Sequence, residues 1–406
     1  QLAYESDVYG ASHTRELPFI IGVFADLSVN PADPLPPVSE RRFLEFDSEN
    51  FEHRLRRIRP RVGFSVNDTS SPGDEIAVDI VFESMADFRP DAVAEKVGAI
   101  RPLLMQRRLL ASLRAYSDGI ADIEIFLGKL LGDRGRLAEV ANGQCGADWD
   151  ARLERAFRPR SEQALSNLKV ALRALADNAL RRAPRAESVE RVMSDYIGEL
   201  DRRLSARVSS VIRHPKFREV ESAWRGLHFL VTNLECDQSL KIYVLNLGKK
   251  DFGKTLKRFK GDAWDQSPIF KMVYEEQYGQ FGGEPFACLI GDYYFNQGPT
   301  DVQLLAHLSQ IASAAHAPFI AGASPETFQM DTWQEISNPR DLGKIFSTPE
   351  YAALRSLRES DNARYLALAM PRFLGRAPYS DQHDPVESFA FEEEIEPGRS
   401  ESYVWC

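Results

Sequence analysis

The sequence predicts an α+β protein of three parts: a small mixed α/β unit over residues 1–133, a helical connector over residues 134–185, and a larger α+β unit over residues 186–406. Three observations support this division. Apolar and polar residues alternate in the first part, as they do in half-buried strands. The middle part is rich in Ala, Leu and Arg, and the last part mixes strand and helix patterns. A chain of 406 residues is long enough for two or three units with separate cores.

The first part contains a predicted buried strand and a predicted hairpin. Residues 17–25 are an apolar run rich in β-branched and aromatic residues, which is typical of a buried strand. Residues 61–66 and 76–82 alternate with period two. The segment between them, residues 67–74, carries the Asn, Asp, Ser, Pro and Gly residues that favour turns.

A helix is predicted from residue 89 onwards. Its apolar residues share one face at three- and four-residue spacing: Val93, Val97, Ile100 and Leu104. Pro102 is expected to kink this helix, since proline removes a backbone donor and clashes with the preceding turn. Beyond the kink the apolar stripe continues through Leu103, Leu110 and Leu113.

The connector is predicted to be helical, with a loop near residues 141–144 and an end near Pro184. Within it, residues 161–182 form an amphipathic pattern. The apolar positions are Leu165, Leu168, Leu172, Leu175 and Leu180, and the solvent-facing cations are Lys169, Arg173, Arg181 and Arg182.

Composition excludes several classes of protein. No run approaches the roughly 20 apolar residues that a membrane-spanning helix needs, so membrane insertion is not expected. No signal-peptide pattern opens the chain, and we expect a cytoplasmic protein. The formal net charge of −10 disfavours nucleic acid as a partner. The four cysteines are far apart and support neither a zinc site nor a disulfide framework.

One motif suggests an alternative function. Residues 248–255 fit the G-x-x-x-x-G-K-[ST] pattern of a phosphate-binding loop, with Gly248, Gly253, Lys254 and Thr255 at its defining positions. A predicted strand precedes it and a helix follows it, as that loop requires. The interior, however, carries Lys, Asp and the bulky Phe252 in place of small residues. We therefore favour an ordinary strand, turn and helix whose lysines are solvated or paired, and keep nucleotide binding as the alternative.

The sequence offers no catalytic constellation, and we predict neither an enzyme, nor a cofactor, nor a metal site. The seven histidines form no cluster, and we assign no role to His228 or His316. Ser267 lacks the elbow of a hydrolase nucleophile. The acidic runs 275–276 and 392–394 are more typical of solvated surface than of a cation site.

Motifs spread over both halves carry a resemblance to a known family. In the second half they include Glu221-Ser222-Ala223-Trp224-Arg225-Gly226, Gly291-Asp292-Tyr293-Tyr294-Phe295, Asn338-Pro339-Arg340-Asp341, Met370-Pro371-Arg372-Phe373 and Tyr403-Val404-Trp405. In the first half they include Leu17-Pro18-Phe19, Ala25-Asp26-Leu27, Pro60-Arg61-Val62 and Phe82-Glu83-Ser84-Met85-Ala86-Asp87-Phe88. The first half resembles the small sheath subunit (VipA/TssB type) of the type VI secretion contractile sheath. The second half resembles the large subunit (VipB/TssC type), of which the C-terminal domain is expected to be missing.

The resemblance implies a structural role: protomers stack into a helical tube around an inner tube and contract to drive secretion. The implied partners are other sheath protomers, the inner tube protein, a baseplate and a disassembly AAA+ ATPase. The ATPase engages an N-terminal helix of separate large subunits, whereas the matching helix here, residues 161–182, is internal.

The resemblance also implies two inter-subunit surfaces. The N-terminal strand, with Leu2, Tyr4 and Val8, would extend a neighbour's sheet. The helical stripe, with Leu103, Leu104, Leu110 and Leu113, would face the large subunit. The same four leucines also fit a second interpretation, in which they form the core of the small unit itself.

Overall fold

The computed structural model describes residues 3–8, 11–68, 73, 75–117, 120–181, 188–259, 261–278, 283–337, 341–395 and 403–406. The first part of the chain contains, in order, β1 (Ala3–Val8), β2 (Ala11–Glu16), β3 (Phe19–Ala25), β4 (Leu44–Phe46), α1 (Phe51–Ile58), β5 (Arg61–Asn67), β6 (Glu75–Val81), α2 (Pro90–Lys96) and α3 (Arg101–Ser117). The predicted buried strand is β3, and the predicted hairpin is the antiparallel pair β5 and β6. Both predictions are confirmed.

The middle of the chain is helical, as predicted. It contains α4 (Ala121–Gly132), α5 (Arg134–Asn142), α6 (Ala147–Phe157), α7 (Glu162–Arg181), α8 (Val189–Ile212) and α9 (Pro215–Asn233). The predicted loop near residues 141–144 follows α5, where Gly143 adopts the left-handed conformation with φ of 69°. The predicted helix end near Pro184 lies outside the described residues.

The last part alternates strands with helices. It contains β7 (Leu240–Asn246), α10 (Lys249–Arg258), α11 (Pro268–Phe270), α12 (Glu276–Tyr278), β8 (Phe286–Phe295), α13 (Pro299–Ala314), β9 (Phe319–Ala323), α14 (Leu342–Ser347), α15 (Ala352–Glu359), β10 (Leu366–Ala369), β11 (Leu374–Arg376) and β12 (Val404–Trp405). The fold is therefore mixed α+β, which confirms the predicted class. No helix in the described part of the chain is long and apolar enough to cross a bilayer.

Two helices replace the single kinked helix predicted from residue 89. α2 ends at Lys96, and α3 begins at Arg101 after a break over residues 97–100. Pro102 lies in the first turn of α3, where a missing N–H costs no intrahelical hydrogen bond. The prediction of a kink at Pro102 is therefore wrong.

A six-stranded sheet lies at the centre of the molecule, in the order β10-β9-β8-β3-β7-β4. Its strands are parallel except β4, which is antiparallel to β7. One face of the sheet packs in a core with the β5–β6 hairpin, α2, α8 and α9. The other face packs against α10, α11, α13 and α15. A third core lies inside a helical bundle, made of α3 through α8, beside the sheet.

Candidate assembly interface

The central sheet joins the first part of the chain, residues 1–133, to the last part, residues 186–406; these are called the two halves. β3 of the first half lies between two strands of the second half. Gly22 of β3 is paired with Tyr243 of β7 on one side and with Leu289 of β8 on the other. A side chain at Gly22 would not fit, since a Cβ there would lie 2.8 Å from the ring of Phe286. The first half thus supplies the middle strand of a sheet that the second half cannot complete alone.

The side chains of β3 alternate between the two layers that cover the sheet. Those that enter the core with α8 and α9 are Ile21, Val23 and Ala25. Those that enter the core with α10 and α13 are Ile20 and Phe24. The Phe24 ring stacks on Phe252 of α10, with the centroids 5.1 Å apart. Both cores therefore contain residues from both halves, and burial of this strand stabilises their association.

Trp224 of α9 fixes the chain just after β3. Its side chain is fully buried, and its indole Nε1–H donates a hydrogen bond of 3.0 Å to the carbonyl oxygen of Leu27. The ring also packs edge to face on Phe51 of α1, with centroids 5.7 Å apart. The tryptophan of the motif Glu221-Ser222-Ala223-Trp224-Arg225-Gly226 thus binds the first half to the second.

Asn246, the last residue of β7, holds the same segment through its side-chain amide. The Leu27 N–H donates to its Oδ1 over 3.0 Å, and its Nδ2 donates to the Ser28 hydroxyl over 2.6 Å. Because Ser28 is buried, these hydrogen bonds replace those that water would make.

Ion pairs join the halves around the edge of the shared core. Arg107 of α3 pairs with Asp201 of α8, with 3.0 Å between Nε and Oδ1, and both side chains are largely buried. Arg207 of α8 pairs through two nitrogens with the nearly buried carboxylate of Asp68. Bidentate, partly buried pairs of this kind fix the relative position of the elements that carry them.

The four leucines predicted to face a partner lie against the second half of the same chain. Leu104 is buried in the core that contains α8 and α9. Leu110 and Leu113 are buried in the helical bundle, and Leu103 is partly buried between the two cores. α3 packs along α7 and α8. A role for these leucines between separate chains stays a prediction.

The second predicted inter-subunit surface is the N-terminal strand with Leu2, Tyr4 and Val8. Leu2 lies outside the described residues. Tyr4 and Val8 are in β1, which pairs with β2 in an antiparallel hairpin: Tyr4 is opposite Arg15, and Val8 is opposite Ala11. The addition of this strand to a neighbour's sheet also stays a prediction.

A buried charge network ties the end of the chain to α9. Glu221, which is fully buried, accepts hydrogen bonds from Arg225 at 2.7 Å and from Arg376 at 2.6 Å. Arg376 also donates to Glu393 at 2.6 Å. Burial lowers the pKa of the Arg376 guanidinium, but the two carboxylates outweigh that effect and hold its pKa above the usual range. Arg376 therefore stays charged, and its hydrogen bonds to Glu221 and Glu393 anchor the segment from Arg376 to Glu393.

Glu393 corrects the expectation that the acidic run 392–394 is solvated surface. Glu392 and Glu394 are exposed, but Glu393 is only 5% exposed and also accepts a hydrogen bond from the Tyr379 N–H. Burial, with Glu221 nearby, raises the pKa of Tyr379 to about 12. No pattern in the sequence indicates Arg376 as the partner of this run.

The segment that matches a phosphate-binding loop forms an ordinary helix start. Gly248 is the N-cap residue, and α10 already begins at Lys249, so the interior of the motif is helical. The Phe252 N–H donates to the Gly248 carbonyl, and the Thr255 hydroxyl donates to the Asp251 carbonyl. These groups are used within the helix and do not form the open cradle of N–H groups that phosphate binding needs.

The lysines of this segment are paired or solvated, as the favoured interpretation predicted. Lys249 Nζ donates to Asp301 at 2.7 Å and to the Tyr294 carbonyl at 2.6 Å. Lys254 is mostly exposed and lies 3.8 Å from Asp251. No group of acidic, His and Cys side chains in the described ranges is arranged to hold a metal ion.

The residues set aside as non-catalytic have structural contacts. The ring of His228 packs edge to face on Phe51, and His316 Nδ1 lies 3.2 Å from the Tyr365 hydroxyl. The Ser267 hydroxyl caps the short helix α11 by accepting from the Phe270 N–H.

Two family models match the chain, one in each half. Residues 194–406 match the family described as VipB, EvpB/VC_A0108, tail sheath N-terminal domain. Residues 1–144 match the family described as type VI secretion system, VipA, VC_A0107 or Hcp2. The first match covers more than half of the chain.

Two curated proteins of Pseudomonas aeruginosa are similar to the chain. The type VI secretion system sheath protein TssC1 is 54% identical over 251 residues, which are 62% of this chain and 50% of TssC1. The sheath protein TssB1 is 42% identical over 142 residues, which are 35% of this chain and 83% of TssB1. The chain thus spans about half the length of TssC1.

Proposed function

The chain belongs to the type VI secretion sheath families of the VipA and VipB types, and from this we propose that it is a structural unit of a contractile sheath in which both subunits are one chain. The observation that carries the proposal is the position of β3. A strand from the VipA-like half lies between two strands of the VipB-like half, so that each half completes the other's fold. Covalent linkage would keep the halves in equal number and raise their effective concentration.

We propose that these units stack into a helical tube that contracts around an inner tube. A lattice of many identical interfaces can switch together between two arrangements and so do mechanical work without a catalytic residue. The backbone of β1, including Tyr4 and Val8, would extend a neighbour's sheet, since an extended strand supplies directional hydrogen bonds. The division into units at residues 1–133, 134–185 and 186–406 is part of this proposal.

Further partners are proposed from the family resemblance: the inner tube protein, a baseplate and a disassembly AAA+ ATPase, all in the cytoplasm. For the ATPase, α7 already buries Leu172 and Leu175 inside the bundle. Recognition of those residues would therefore require α7 to leave the bundle, as lattice contraction could make it do.

Electron microscopy of the purified chain tests the proposal. The chain is imaged in negative stain alone and after addition of the C-terminal half of TssC1. Ridged hollow tubes in either sample support the sheath function, and discrete particles in both contradict it. A variant without residues 1–16 separates folding from assembly: we expect unchanged thermal unfolding, because the described cores begin at Ile20, together with loss of the tubes.

A second candidate function, nucleotide binding at residues 248–255, has no geometric support. The helix start described above leaves Lys254 in solvent, and Phe252 inside the motif donates its N–H within the helix.

A further inference from the structure

A surface cavity of about 430 Å³ lies on the helical bundle, away from the shared sheet. It is formed by α4, α5 and α6. The lining residues are Asp122, Ile125, Phe126, Lys129, Leu130, Arg136, Trp149, Arg152, Arg155 and Ala156. None of these residues belongs to the contacts between the two halves described above.

Two aromatic side chains, Phe126 and Trp149, line this cavity and are called its floor. Their ring centroids lie 5.3 Å apart, and the Phe157 ring packs edge to face on Phe126 with centroids 5.6 Å apart. Ile125, at the rim, is 55% exposed. An apolar floor of this kind favours an apolar side chain of a ligand, because its burial there removes further apolar surface from water.

The wall of the cavity is basic, although the whole chain has a net charge of −10. Four cations line it, against the single carboxylate of Asp122. Arg136 lies 3.4 Å from Asp133, and Arg152 lies 3.0 Å from Asp148. The other two cations, Lys129 and Arg155, form no ion pair with any residue that the structure describes. Two positive charges are therefore available to a ligand.

A smaller cavity of about 210 Å³ continues the first one, since both are lined by Arg136, Trp149 and Arg152. Its walls also carry Glu139 and Asp148, so that the excess of positive charge is confined to the larger cavity. The two adjoining cavities are together called the groove. Aromatic and cationic side chains in the larger cavity suit a ligand that carries both an apolar group and carboxylates, as an acidic peptide does.

We propose that this groove binds an acidic peptide segment of a partner protein, with one apolar side chain on the aromatic floor. Carboxylates of the peptide would pair with Lys129 and Arg155 of the larger cavity. Long-range attraction by the basic wall would direct the acidic segment to the groove, while the floor would supply the contact that retains it.

Fluorescence anisotropy with a labelled peptide tests the proposal on the full chain. The probe is a fluorescein-labelled peptide in which four glutamates flank one phenylalanine, and the matched probe has glutamine in place of glutamate. We expect the acidic probe to bind with a Kd of about 1–100 μM and the glutamine probe to bind at least about tenfold more weakly. Binding should weaken as the salt concentration rises, since exposed charges are screened.

Charge reversal identifies the groove as the binding site. The double variant Lys129→Glu/Arg155→Glu should lower the affinity for the acidic probe at least about tenfold. The control Lys257→Glu/Arg258→Glu makes the same change in net charge at two exposed positions of α10 and should keep the affinity within about twofold. Thermal unfolding of both variants checks that each is folded.

Three results would overturn the inference. The first is absence of binding by the acidic probe up to about 1 mM. The second is equal binding by the groove variant and the control variant. The third is displacement of the probe by adenosine monophosphate at the same concentration as the probe, which would assign the groove to small anions. The assay does not depend on tube formation, so its outcome is separate from that of the proposed sheath function.

Discussion

The indole N–H of Trp224 and the carbonyl oxygen of Leu27, which are 197 positions apart in the sequence, are joined by a buried hydrogen bond of 3.0 Å. Leu27 closely follows β3, and Trp224 lies in the helix that covers the sheet. The bond therefore connects the strand supplied by one half with the layer supplied by the other. Loss of this bond should therefore lower the free energy of unfolding of the chain.

Trp224→Phe should destabilise the chain by about 1–3 kcal/mol, because the Leu27 carbonyl would remain buried without its donor. The measurement is the free energy of unfolding from urea denaturation followed by circular dichroism. Trp264→Phe serves as control, since Trp264 is only partly buried and its indole N–H has no hydrogen-bond acceptor among the described residues. Equal unfolding free energies for Trp224→Phe and the wild type would show that this bond contributes nothing.

The same strand offers a matched pair of phenylalanines. Phe24 is 1% exposed and Phe19 is 51% exposed, although both lie in β3. Phe24→Ala should cost about 3–5 kcal/mol through lost burial and the cavity left behind, whereas Phe19→Ala should cost less than about 1 kcal/mol. Both values come from denaturant unfolding. Similar costs at the two positions would contradict the central placement of β3.

The strand itself was predictable, but its partners were not. The apolar run at residues 17–25 and the period-two alternation of β5 and β6 are local patterns, and local patterns survive in a single sequence. Pairing of Gly22 with Tyr243 and Leu289 is parallel and spans more than 200 residues. Nothing in the composition of any of these strands specifies such a neighbour. Only the resemblance of the two halves to two subunits indicated that they pack together.

The charge network was missed for a related reason. A run of three glutamates predicts solvated surface, because unpaired carboxylates are costly to bury. Glu393 is buried only because Arg376, 17 positions earlier, meets it from β11. The predicted kink at Pro102 is a second error of the sequence prediction. A proline inside a helix predicts a kink, but Pro102 lies in the first turn of α3, where proline is compatible with an unbroken helix.

Removal of Glu221 should strongly destabilise the end of the chain. Glu221→Gln leaves Arg225 without a carboxylate partner among the described residues and leaves Arg376 with Glu393 alone, and we expect a loss of about 3–5 kcal/mol. In a double-mutant cycle with Arg376→Met, the summed single costs should exceed the cost of the double variant by about 0.5–3 kcal/mol. Glu95→Gln, which breaks the exposed pair with Arg108, should cost no more than about 1 kcal/mol. Additive costs in the cycle would show that Glu221 and Arg376 do not interact.

His214 should make stability depend on pH in a defined direction. Its ring stacks on Phe64 with centroids 3.8 Å apart, and its Nδ1 accepts the Lys216 N–H at the start of α9. Burial, and then the charge of Lys216, lower the pKa of His214. The folded state therefore binds fewer protons than the unfolded chain. The stability that neutral His214 contributes is present above the ordinary imidazole pKa of about 6.5. It is lost as the pH falls through the lowered pKa of His214 in the folded state.

The comparison variant for that effect is His214→Asn, which keeps a capping side chain but does not titrate. Unfolding free energies measured at pH 5 and pH 7 should show a larger decrease on acidification for the wild type than for the variant. Equal decreases would assign the pH dependence to other groups.

Two lysines of the loop-like motif distinguish a structural role from phosphate binding. Lys249 pairs with the largely buried Asp301 and lies 4.5 Å from the centre of the Phe295 ring, whereas Lys254 is 73% exposed. Lys249→Ala should therefore cost about 1–3 kcal/mol, since Asp301 loses its charged partner, and Lys254→Ala should stay within about 0.5 kcal/mol. Thermal unfolding with and without ATP and Mg²⁺ gives both results in one experiment. A phosphate-binding loop requires the opposite outcome: stabilisation by nucleotide that Lys254→Ala abolishes. The helical geometry of residues 249–258 predicts no nucleotide shift in either variant, because residues 249–255 form helical turns and not an open cradle of N–H groups.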